Sequence, residues 1–104
     1  MNQQRKKART KAAASDDVMV AWTSQAWEDY CHWYAHDVQV VRAINTLIRE
    51  ISRDPFRGTG KPEPLRGDLT GFWSRRINTT DRLVYTVQDG RIIVLQCRYH
   101  YQAP

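Results

Sequence analysis

The chain has 104 residues, of which 41% are hydrophobic and 11% aromatic, and a formal net charge of +5. This length and composition predict a single folded domain and exclude an intrinsically disordered chain. The sequence has no apolar run of the roughly 18 residues that a membrane-spanning helix requires, and its basic N-terminus lacks the apolar segment of a secretory signal.

Residues 1–17 carry five basic and two acidic residues and show no hydrophobic periodicity. We therefore predict a disordered basic N-terminal arm, followed by one domain over residues 18–104. Residues 18–22 are a short apolar run, typical of a buried strand. This strand is the first predicted element of the domain.

Two amphipathic helices are predicted next. Ser24 is expected to cap the first helix and Asp37 the second. Asp54 and Pro55 are expected to end the second helix, because proline cannot continue it. The predicted apolar face of the first helix consists of Trp27, Tyr30, Cys31 and Tyr34, and that of the second of Val38, Val41, Ile44, Ile48 and Ile51.

Residues 56–70 are rich in Gly and Pro and are predicted to form a loop. Three strands are predicted after it, over residues 72–77, 83–88 and 91–99, with the Asp-Gly pair at 89–90 as a hairpin turn. The order β-α-α-β-β-β predicts an α+β fold. In this fold, two helices cover one face of a mostly antiparallel sheet and leave the other face free.

Positive charge is concentrated in the second half of the chain. Residues 54–104 hold eight basic and five acidic residues, and most of the basic ones are arginines. Arginine suits bidentate phosphate contacts, so this composition predicts a phosphate-bearing partner. A solvated basic face would have the same composition, and this alternative stays open at this point.

The cysteines and two of the histidines have no metal-like pattern. Cys31 and Cys97 are predicted to be free thiols in a reducing cytoplasm. His32 and His36 are four residues apart on the first helix, but no clear third ligand lies near them in sequence. We therefore predict solvent-exposed histidines rather than a metal site.

The second half of the chain contains the residue types that metal-free cleavage of RNA requires. Cleavage by the RNA's own 2′-hydroxyl needs a base for that hydroxyl, an acid for the departing 5′-oxygen and positive charge on the phosphorane. Glu63 is a candidate base, and His100 a candidate acid because unperturbed histidine titrates at about pH 6.5. The candidate cations are Arg66, Arg75, Arg76, Arg82 and Arg98.

Each of these residues also has an ordinary structural explanation. Glu63 lies between two prolines, so a stiff surface loop with an incidental charge explains it as well. His100 lies between two tyrosines that would cover a sheet edge without a catalytic role. Strand alternation places Arg76 on the face opposite to Trp73 and Arg75, so only one of these sets faces a ligand.

Six short motifs carry a resemblance to a known family. They are WEDY at 27–30, INTLI at 44–48, GKPEPL at 60–65, LTGFWSRRI at 69–77, RLVY at 82–85 and RYHY at 98–101. Together and in this order they resemble the YoeB (Txe) family of bacterial type II toxins, within the wider RelE-like group. The resemblance covers roughly residues 19–101.

The resemblance implies both a RelE-like fold and a function. Toxins of this family are endoribonucleases that enter the A site of the 70S ribosome, cut the bound mRNA and inhibit translation. A YefM-like acidic antitoxin holds them inactive. The resemblance thus implies a cytoplasmic toxin that acts on mRNA without metal or cofactor and binds such an antitoxin, and a homodimer is a further expectation.

The resemblance also implies roles for individual residues. Glu63 resembles the general base, His100 the general acid and Arg82 the residue that stabilises the transition state. The residues expected to bind the substrate are Lys61, Arg66, Arg76 and Tyr101.

Two other functions fit parts of the same pattern. A gyrase-targeting toxin of the ParE kind would share the fold but not the combination of Glu63, Arg82 and His100. A non-catalytic RNA or ribosome binder would share the basic surface and would tolerate replacement of His100 by glutamine. Both are retained as alternatives to the endoribonuclease.

Overall fold

The structure of the protein is a computed structural model that describes residues 17–100. Its elements in chain order are β1 (Met19–Trp22), α1 (Ser24–His36), α2 (Val38–Arg53), β2 (Glu63–Pro64), β3 (Trp73–Arg76), β4 (Arg82–Gln88) and β5 (Arg91–Gln96). A 3₁₀ helix, Gly67–Leu69, lies between β2 and β3. The predicted α+β class is confirmed, while the predicted disordered arm falls almost wholly outside the described residues.

The five strands form one sheet in the order β1-β5-β4-β3-β2. β1 runs parallel to β5, and the other neighbouring strands are antiparallel. β2 was not predicted, because its two residues lie within a segment whose Gly and Pro content indicates a loop. A strand that contains proline is tolerated here because β2 is at the edge of the sheet.

The prediction that the first strand is buried was wrong. β1 forms the other edge of the sheet, where Met19 is 60% exposed and Val20 38% exposed. An apolar run of this length fits an edge strand as well as a central one, because the sequence does not state how many neighbours a strand has.

Local capping chemistry determines where the helices begin and end. The side chain of Thr23 accepts a hydrogen bond of 3.0 Å from the N–H of Ala26, so Thr23 rather than the predicted Ser24 caps α1. Asp37 caps α2 as predicted, because its carboxylate accepts from the N–H of Gln39 at 3.0 Å. Asp54 follows the last residue of α2, which confirms the predicted end.

The buried faces of the helices differ in part from the predicted ones. In α1, Ala26 and Asp29 are buried, whereas Trp27 and Tyr34 are 54% and 74% exposed. In α2, Val38 is exposed, although the rest of its predicted stripe is buried or half-buried. Packing against β5 and the hydrogen bonds of Asp29 determine the orientation of α1, and neither is visible in helical periodicity.

The core lies between the helices and one face of the sheet. Alternate residues of the central strands contribute to it, among them Leu83 and Tyr85 of β4 and Ile92 and Val94 of β5. The opposite face, which we call the distal face, carries the intervening residues Ser74, Arg76, Arg82, Val84 and Thr86.

The distal face is only partly open, which corrects the prediction that it is free. Ser74, Val84 and Thr86 are each at most 5% exposed. The segment 65–72 lies over them, because the hydroxyl of Thr86 donates to the carbonyl oxygen of Gly71 at 2.9 Å. The open part of the distal face is therefore the end that carries Arg76 and Arg82.

The predicted hairpin turn is present between β4 and β5, and a second turn joins β3 to β4. Asp89 and Gly90 have φ values of 50° and 73°, which is the left-handed geometry of a two-residue hairpin turn. Between β3 and β4, the side chain of Asn78 accepts hydrogen bonds from the N–H groups of Thr80 and Asp81. These local bonds hold the turn that leads into Arg82.

Candidate functional site

A continuous row of paired residues crosses the distal face. Glu63 in β2 lies opposite Ser74, and Ser74 lies opposite Val84. Val84 lies opposite Gln96 in β5. Residues that pair directly point to the same face of a sheet. Glu63 therefore stands at the edge of the distal face, about 14 Å from Gln96 across three strand spacings.

Two arginines face each other next to this row. Arg76 in β3 lies directly opposite Arg82 in β4, two residues along from Ser74 and Val84. Nη1 of Arg82 donates to the carbonyl oxygens of Asn78 at 2.9 Å and Asp81 at 3.1 Å. Like charges in directly opposite positions destabilise a sheet, and a bound anion would relieve this repulsion.

His100 is held beside these arginines through the backbone of its neighbour. The N–H of Arg82 donates to the carbonyl oxygen of Tyr99 at 2.9 Å. The N–H of Tyr99 donates in turn to Oδ1 of Asp81 at 2.6 Å. Tyr99 adopts a left-handed φ of 64°, which is costly for a non-glycine residue and persists only where the surroundings impose it.

A second carboxylate fixes the same C-terminal segment from the helix side. The N–H of Cys97 donates to Oδ2 of Asp29 at 3.1 Å. The indole N–H of Trp33 donates to the carbonyl oxygen of Cys97 at 2.8 Å. Burial, followed by the nearby charges of Asp29 and Asp81, raises the pKa of the Cys97 thiol to about 12. Both cysteines are free, as predicted.

A shift in strand register brings this segment into position. Val84 pairs with Gln96 but Tyr85 pairs with Val94, so Leu95 is an extra residue in β5. The shift lets Gln96 share the distal face with Val84 while Cys97 enters the core, where it is fully buried. Such irregularities commonly redirect side chains next to active sites.

On the opposite side of the site, the segment that leads to Glu63 lies tightly against β3. The N–H of Arg76 donates to the carbonyl oxygen of Gly60 at 2.6 Å. Gly60 has a φ of 86°, and a Cβ at this position would lie 2.8 Å from the carbonyl oxygen of Arg76. This close approach requires glycine. Together with the proline on each side of Glu63, it restricts where the carboxylate can lie.

Arg75, one of the candidate cations, belongs to the core instead of the site. It is fully buried, and its guanidinium donates to the carbonyl oxygens of Asp54 and Arg57 at 2.8 Å each and of Thr59 at 3.2 Å. Its Nε also donates to the hydroxyl of Tyr85 at 3.1 Å. Arg75 thus ties the segment after α2 to the sheet and cannot contact a ligand on the distal face.

The remaining predicted site residues are distributed around these groups. Lys61 and Arg66 are exposed and flank Glu63 in sequence, on either side of β2. Trp73 packs against the core and contacts Phe56, with ring centroids 4.8 Å apart, so it does not share the face of Arg76. Tyr101 lies outside the described residues.

A cavity of about 340 Å³ adjoins His100, and neither Glu63 nor another residue of β2 lines it. Arg98 lines this cavity, and its Cζ lies 4.5 Å from the ring centroid of Tyr99 and 5.9 Å from that of Trp33. Tyr99 is 61% exposed. The residues that line the cavity are Gln25, Asp29, Leu69, Gln96, Arg98, Tyr99 and His100.

The histidine pair of α1 is separate from this site. The rings of His32 and His36 stack with centroids 4.3 Å apart, and Nδ1 of His36 lies 2.7 Å from the carbonyl oxygen of His32. His36 is exposed as predicted, but His32 is half-buried. Within residues 17–100, no group of three or more His, Cys, Asp or Glu side chains is arranged to hold a metal ion.

The arrangement places Glu63, Arg76 and Arg82 on the distal face and ties the segment that leads to His100 to the backbone of Arg82. These are the groups that acid–base cleavage of a phosphodiester uses. Sequence reasoning gave no role to Asp29 and Asp81, which position the segment before His100. Asp81 could have been noted for its place in a tight turn just before Arg82, whereas the contact of Asp29 depends on tertiary packing.

Comparisons with known proteins relate this arrangement to a family. The model for the YoeB-like toxin of the bacterial type II toxin–antitoxin system matches residues 22–101. The Toxin YoeB of Streptomyces coelicolor is 56% identical over 84 residues, which are 81% of this chain and 100% of that protein. The structure of a YoeB/ParE toxin from Agrobacterium tumefaciens has a TM-score of 0.77 and 49% identity, covering 80% of this chain and 99% of the other.

Two structures from Staphylococcus aureus are similar to the same extent. A YoeB–YefM complex has a TM-score of 0.76 and 44% identity, covering 81% of this chain and 98% of the other. A YoeB dimer has a TM-score of 0.77 and 45% identity over the same shares. These likenesses confirm that the predicted α+β fold is of the RelE-like kind.

Proposed function

This chain belongs to the YoeB-like toxins of bacterial type II toxin–antitoxin systems, and on that premise we propose that it is a ribosome-dependent endoribonuclease. It acts in the cytoplasm, where it cuts mRNA in the A site of the 70S ribosome and so inhibits translation. Within residues 17–100, no helix is long and apolar enough to cross a membrane.

The direct opposition of Arg76 and Arg82 is the observation that carries this proposal. Two arginines at directly opposite positions on the open end of the distal face supply guanidinium groups for one phosphate, which can accept hydrogen bonds from both. The segment before His100 is hydrogen-bonded to Arg82, and Glu63 lies at the edge of the same face. A phosphate at the arginines would therefore lie between a base and an acid.

The proposed mechanism needs only these side chains and the RNA. Glu63 removes the proton from the 2′-hydroxyl on the 5′ side of the scissile bond, and the 2′-oxygen then forms a bond to phosphorus. Arg82 and Arg76 stabilise the negative charge of the phosphorane. His100 donates a proton to the departing 5′-oxygen as its bond to phosphorus breaks. The products are a 2′,3′-cyclic phosphate and a 5′-hydroxyl.

Three further residues are proposed to hold the mRNA. Lys61 and Arg66, exposed on either side of β2, would contact phosphates on the side of Glu63. Tyr101, which follows His100 directly, would help to orient the substrate near the acid. None of these three is proposed to transfer a proton.

The antitoxin is the second proposed partner. The YoeB of Staphylococcus aureus is found in a complex with YefM and also as a dimer. We propose that this chain likewise binds a YefM-like acidic antitoxin across its arginine-rich face and forms homodimers. An acidic chain would be attracted to Arg76 and Arg82 for the same reason that mRNA is.

The test is cleavage of mRNA on programmed ribosomes, with histidine variants at two positions. The unaltered protein is expected to cut in the A site, and His100→Gln is expected to lower the rate by at least about 10²-fold. His36→Gln, which removes an exposed histidine from α1, should cleave at the normal rate. Equal cleavage rates for all three proteins would overturn the role of His100 as the acid. Inhibition of translation without cleavage, retained in His100→Gln, would support a non-catalytic binder, and gyrase inhibition without cleavage would support a toxin of the ParE kind.

A further inference from the structure

The cavity beside His100 has no role in the mechanism described so far. It is lined by residues of α1, the 3₁₀ helix, the end of β5 and the segment after β5, and no residue of β2 or β3 reaches it. It therefore adjoins the proposed acid but not the proposed base. If the proposed function holds, a cavity next to the acid alone lies beside one particular nucleotide of the bound RNA.

The chemistry of the reaction determines which nucleotide lies near the cavity. The base acts on the 2′-hydroxyl of the nucleotide on the 5′ side of the scissile phosphate. The acid acts on the 5′-oxygen of the nucleotide on the 3′ side. With Glu63 at the β2 edge and His100 beyond the end of β5, the 3′ nucleotide lies on the cavity side.

The lining of the cavity suits a nucleobase. The exposed ring of Tyr99 and the guanidinium of Arg98 stack on each other, and both planar groups are common platforms for unstacked bases. Gln25 and Gln96 add amide groups that can recognise the edge of a base. A volume of about 340 Å³ is near the lower end of the range for small-ligand pockets, which fits one base rather than several nucleotides.

The polar groups of the cavity are ordered before any ligand binds. Nε2 of Gln25 donates to Oδ1 of Asp29 at 2.8 Å. Nε2 of Gln96 donates to the carbonyl oxygen of Arg98 at 3.1 Å. Because both amide nitrogens donate to oxygen acceptors, the orientation of each amide is set. Preordered groups of this kind discriminate between ligands at a low entropic cost.

We propose that this cavity binds the base of the nucleotide on the 3′ side of the scissile phosphate, and that Gln25 and Gln96 set the preference for that base. The proposal rests on the proposed function, because it takes the positions of base and acid from that mechanism. It adds a specificity subsite formed by side chains that take no part in the proton transfers.

The experiment compares cleavage rates on two sets of programmed ribosomes after the cleavage position has been mapped. One set of four mRNAs differs only in the nucleotide 3′ of the scissile bond, and the other only in the nucleotide 5′ of it. The proteins are the unaltered chain, Gln25→Ala, Gln96→Ala and the control Gln39→Ala, which removes an exposed amide at the start of α2.

We expect Gln25→Ala and Gln96→Ala each to change the ratio of cleavage rates between mRNAs of the 3′ set by about tenfold. This is the size of the effect of one or two lost base contacts. Ratios within the 5′ set, and all ratios for Gln39→Ala, should stay as in the unaltered protein. Gln25 is exposed on α1, so its variant still decides the question if Gln96→Ala fails to fold.

Unchanged ratios in the 3′ set with cleavage intact would overturn the subsite and leave the proposed function standing. A change confined to the 5′ set would also overturn it, because the cavity would then face the wrong nucleotide. Absence of cleavage by the unaltered chain on every mRNA would overturn the proposed function and the subsite with it.

Discussion

The backbone N–H of Tyr99 donates a hydrogen bond of 2.6 Å to Oδ1 of Asp81. Asp81 directly precedes Arg82, whose own N–H donates to the carbonyl oxygen of Tyr99 at 2.9 Å. These two bonds join the turn after β3 to the segment that carries His100. The spacing between the proposed cation and the proposed acid therefore depends on a buried carboxylate that takes no part in proton transfer.

Asp81→Ala is expected to lower the single-turnover rate on saturating programmed ribosomes by about tenfold or more, because small misplacements of a catalytic group are costly. The dissociation constant for the ribosome should stay the same, since Asp81 is buried. Asp81→Asn keeps an oxygen that can accept from Tyr99 and should restore most of the rate. Asp17→Ala is the control for losing one acidic side chain. An asparagine variant as slow as the alanine variant would contradict this positioning role.

Arg75→Met is expected to lower the free energy of unfolding by about 3 kcal/mol, because it removes the hydrogen bonds from the buried guanidinium to three carbonyl oxygens and to the hydroxyl of Tyr85. The neighbouring Arg76→Met is the matched control. Arg76 is exposed and faces another arginine, so its loss should change stability by less than about 0.5 kcal/mol. Urea unfolding of both variants measures the difference, and equal destabilisation would mean that burial does not distinguish these two residues.

Gly60→Ala is expected to destabilise the protein more than Gly71→Ala, by about 1 kcal/mol. Both glycines have positive φ values, but only at Gly60 would a Cβ lie 2.8 Å from a backbone oxygen, that of Arg76. Because Gly60 lies just before β2, the same substitution should also slow cleavage by displacing Glu63. Thermal unfolding and single-turnover cleavage measure the two effects. If both variants behave alike, the close approach to β3 has no energetic consequence.

Glu50 is expected to contribute to the pH dependence of stability. Hydrogen bonds from Thr59, one of them from its N–H at 3.0 Å, hold the pKa of this carboxyl below its ordinary value of 4.5. A lowered folded-state pKa stabilises the protein fully above 4.5, and this contribution is lost as the pH falls through the folded-state value. The stability difference between the unaltered chain and Glu50→Gln should therefore shrink on acidification.

Urea unfolding at a series of pH values measures this difference. Glu28→Gln, which removes an exposed carboxylate from α1, controls for the loss of one negative charge. A difference that grows on acidification would show that the sign is wrong. A difference that is constant from neutral to acidic pH would show that the hydrogen bonds of Thr59 do not favour the ionised carboxylate.

Local chemistry explains which parts of the fold were predictable. Asp37, Asp54 and the turn at Asp89 and Gly90 act on neighbouring residues, so their roles are visible in a short window of sequence. The face of a helix or strand depends on what packs against it. Trp27 is apolar but mostly exposed, while the charged Asp29 is buried because the backbone of Cys97 requires an acceptor.

In the candidate site as well, the local sequence predicts some features and tertiary packing determines the others. Sequence alternation separates Arg75 from Arg76, but only the packed structure shows that Arg75 is the structural residue and that Arg76 faces Arg82. The resemblance to a family placed Glu63 and His100 in one mechanism. Their positions in the fold depend on strand order and on a register shift in β5, and neither can be read from spacing along the chain.

The two cysteines give a direct measurement of how firmly the C-terminal segment is held. Cys31 is exposed, whereas Cys97 is buried and burial raises its thiol pKa to about 12. Because the thiolate is the reactive form, an alkylating reagent at pH 8 should label Cys31 rapidly and Cys97 only when the segment opens. In a Cys31→Ser background, the rate of labelling thus reports the opening of the segment that carries His100.

Asp29→Ala in this background is expected to increase the labelling rate of Cys97 by about tenfold, the effect of losing one hydrogen bond to a charged acceptor. Glu28→Ala, at the adjacent exposed position of α1, should leave the rate unchanged. Removal of Asp29 also removes a charge that raises the thiol pKa, so labelling must be measured at two pH values. If the labelling rate of Cys97 rises only in proportion to the fraction of thiolate, Asp29 raises the pKa of the thiol without restraining the segment. If the labelling rate rises at both pH values by more than the fraction of thiolate does, Asp29 keeps the proposed acid in place.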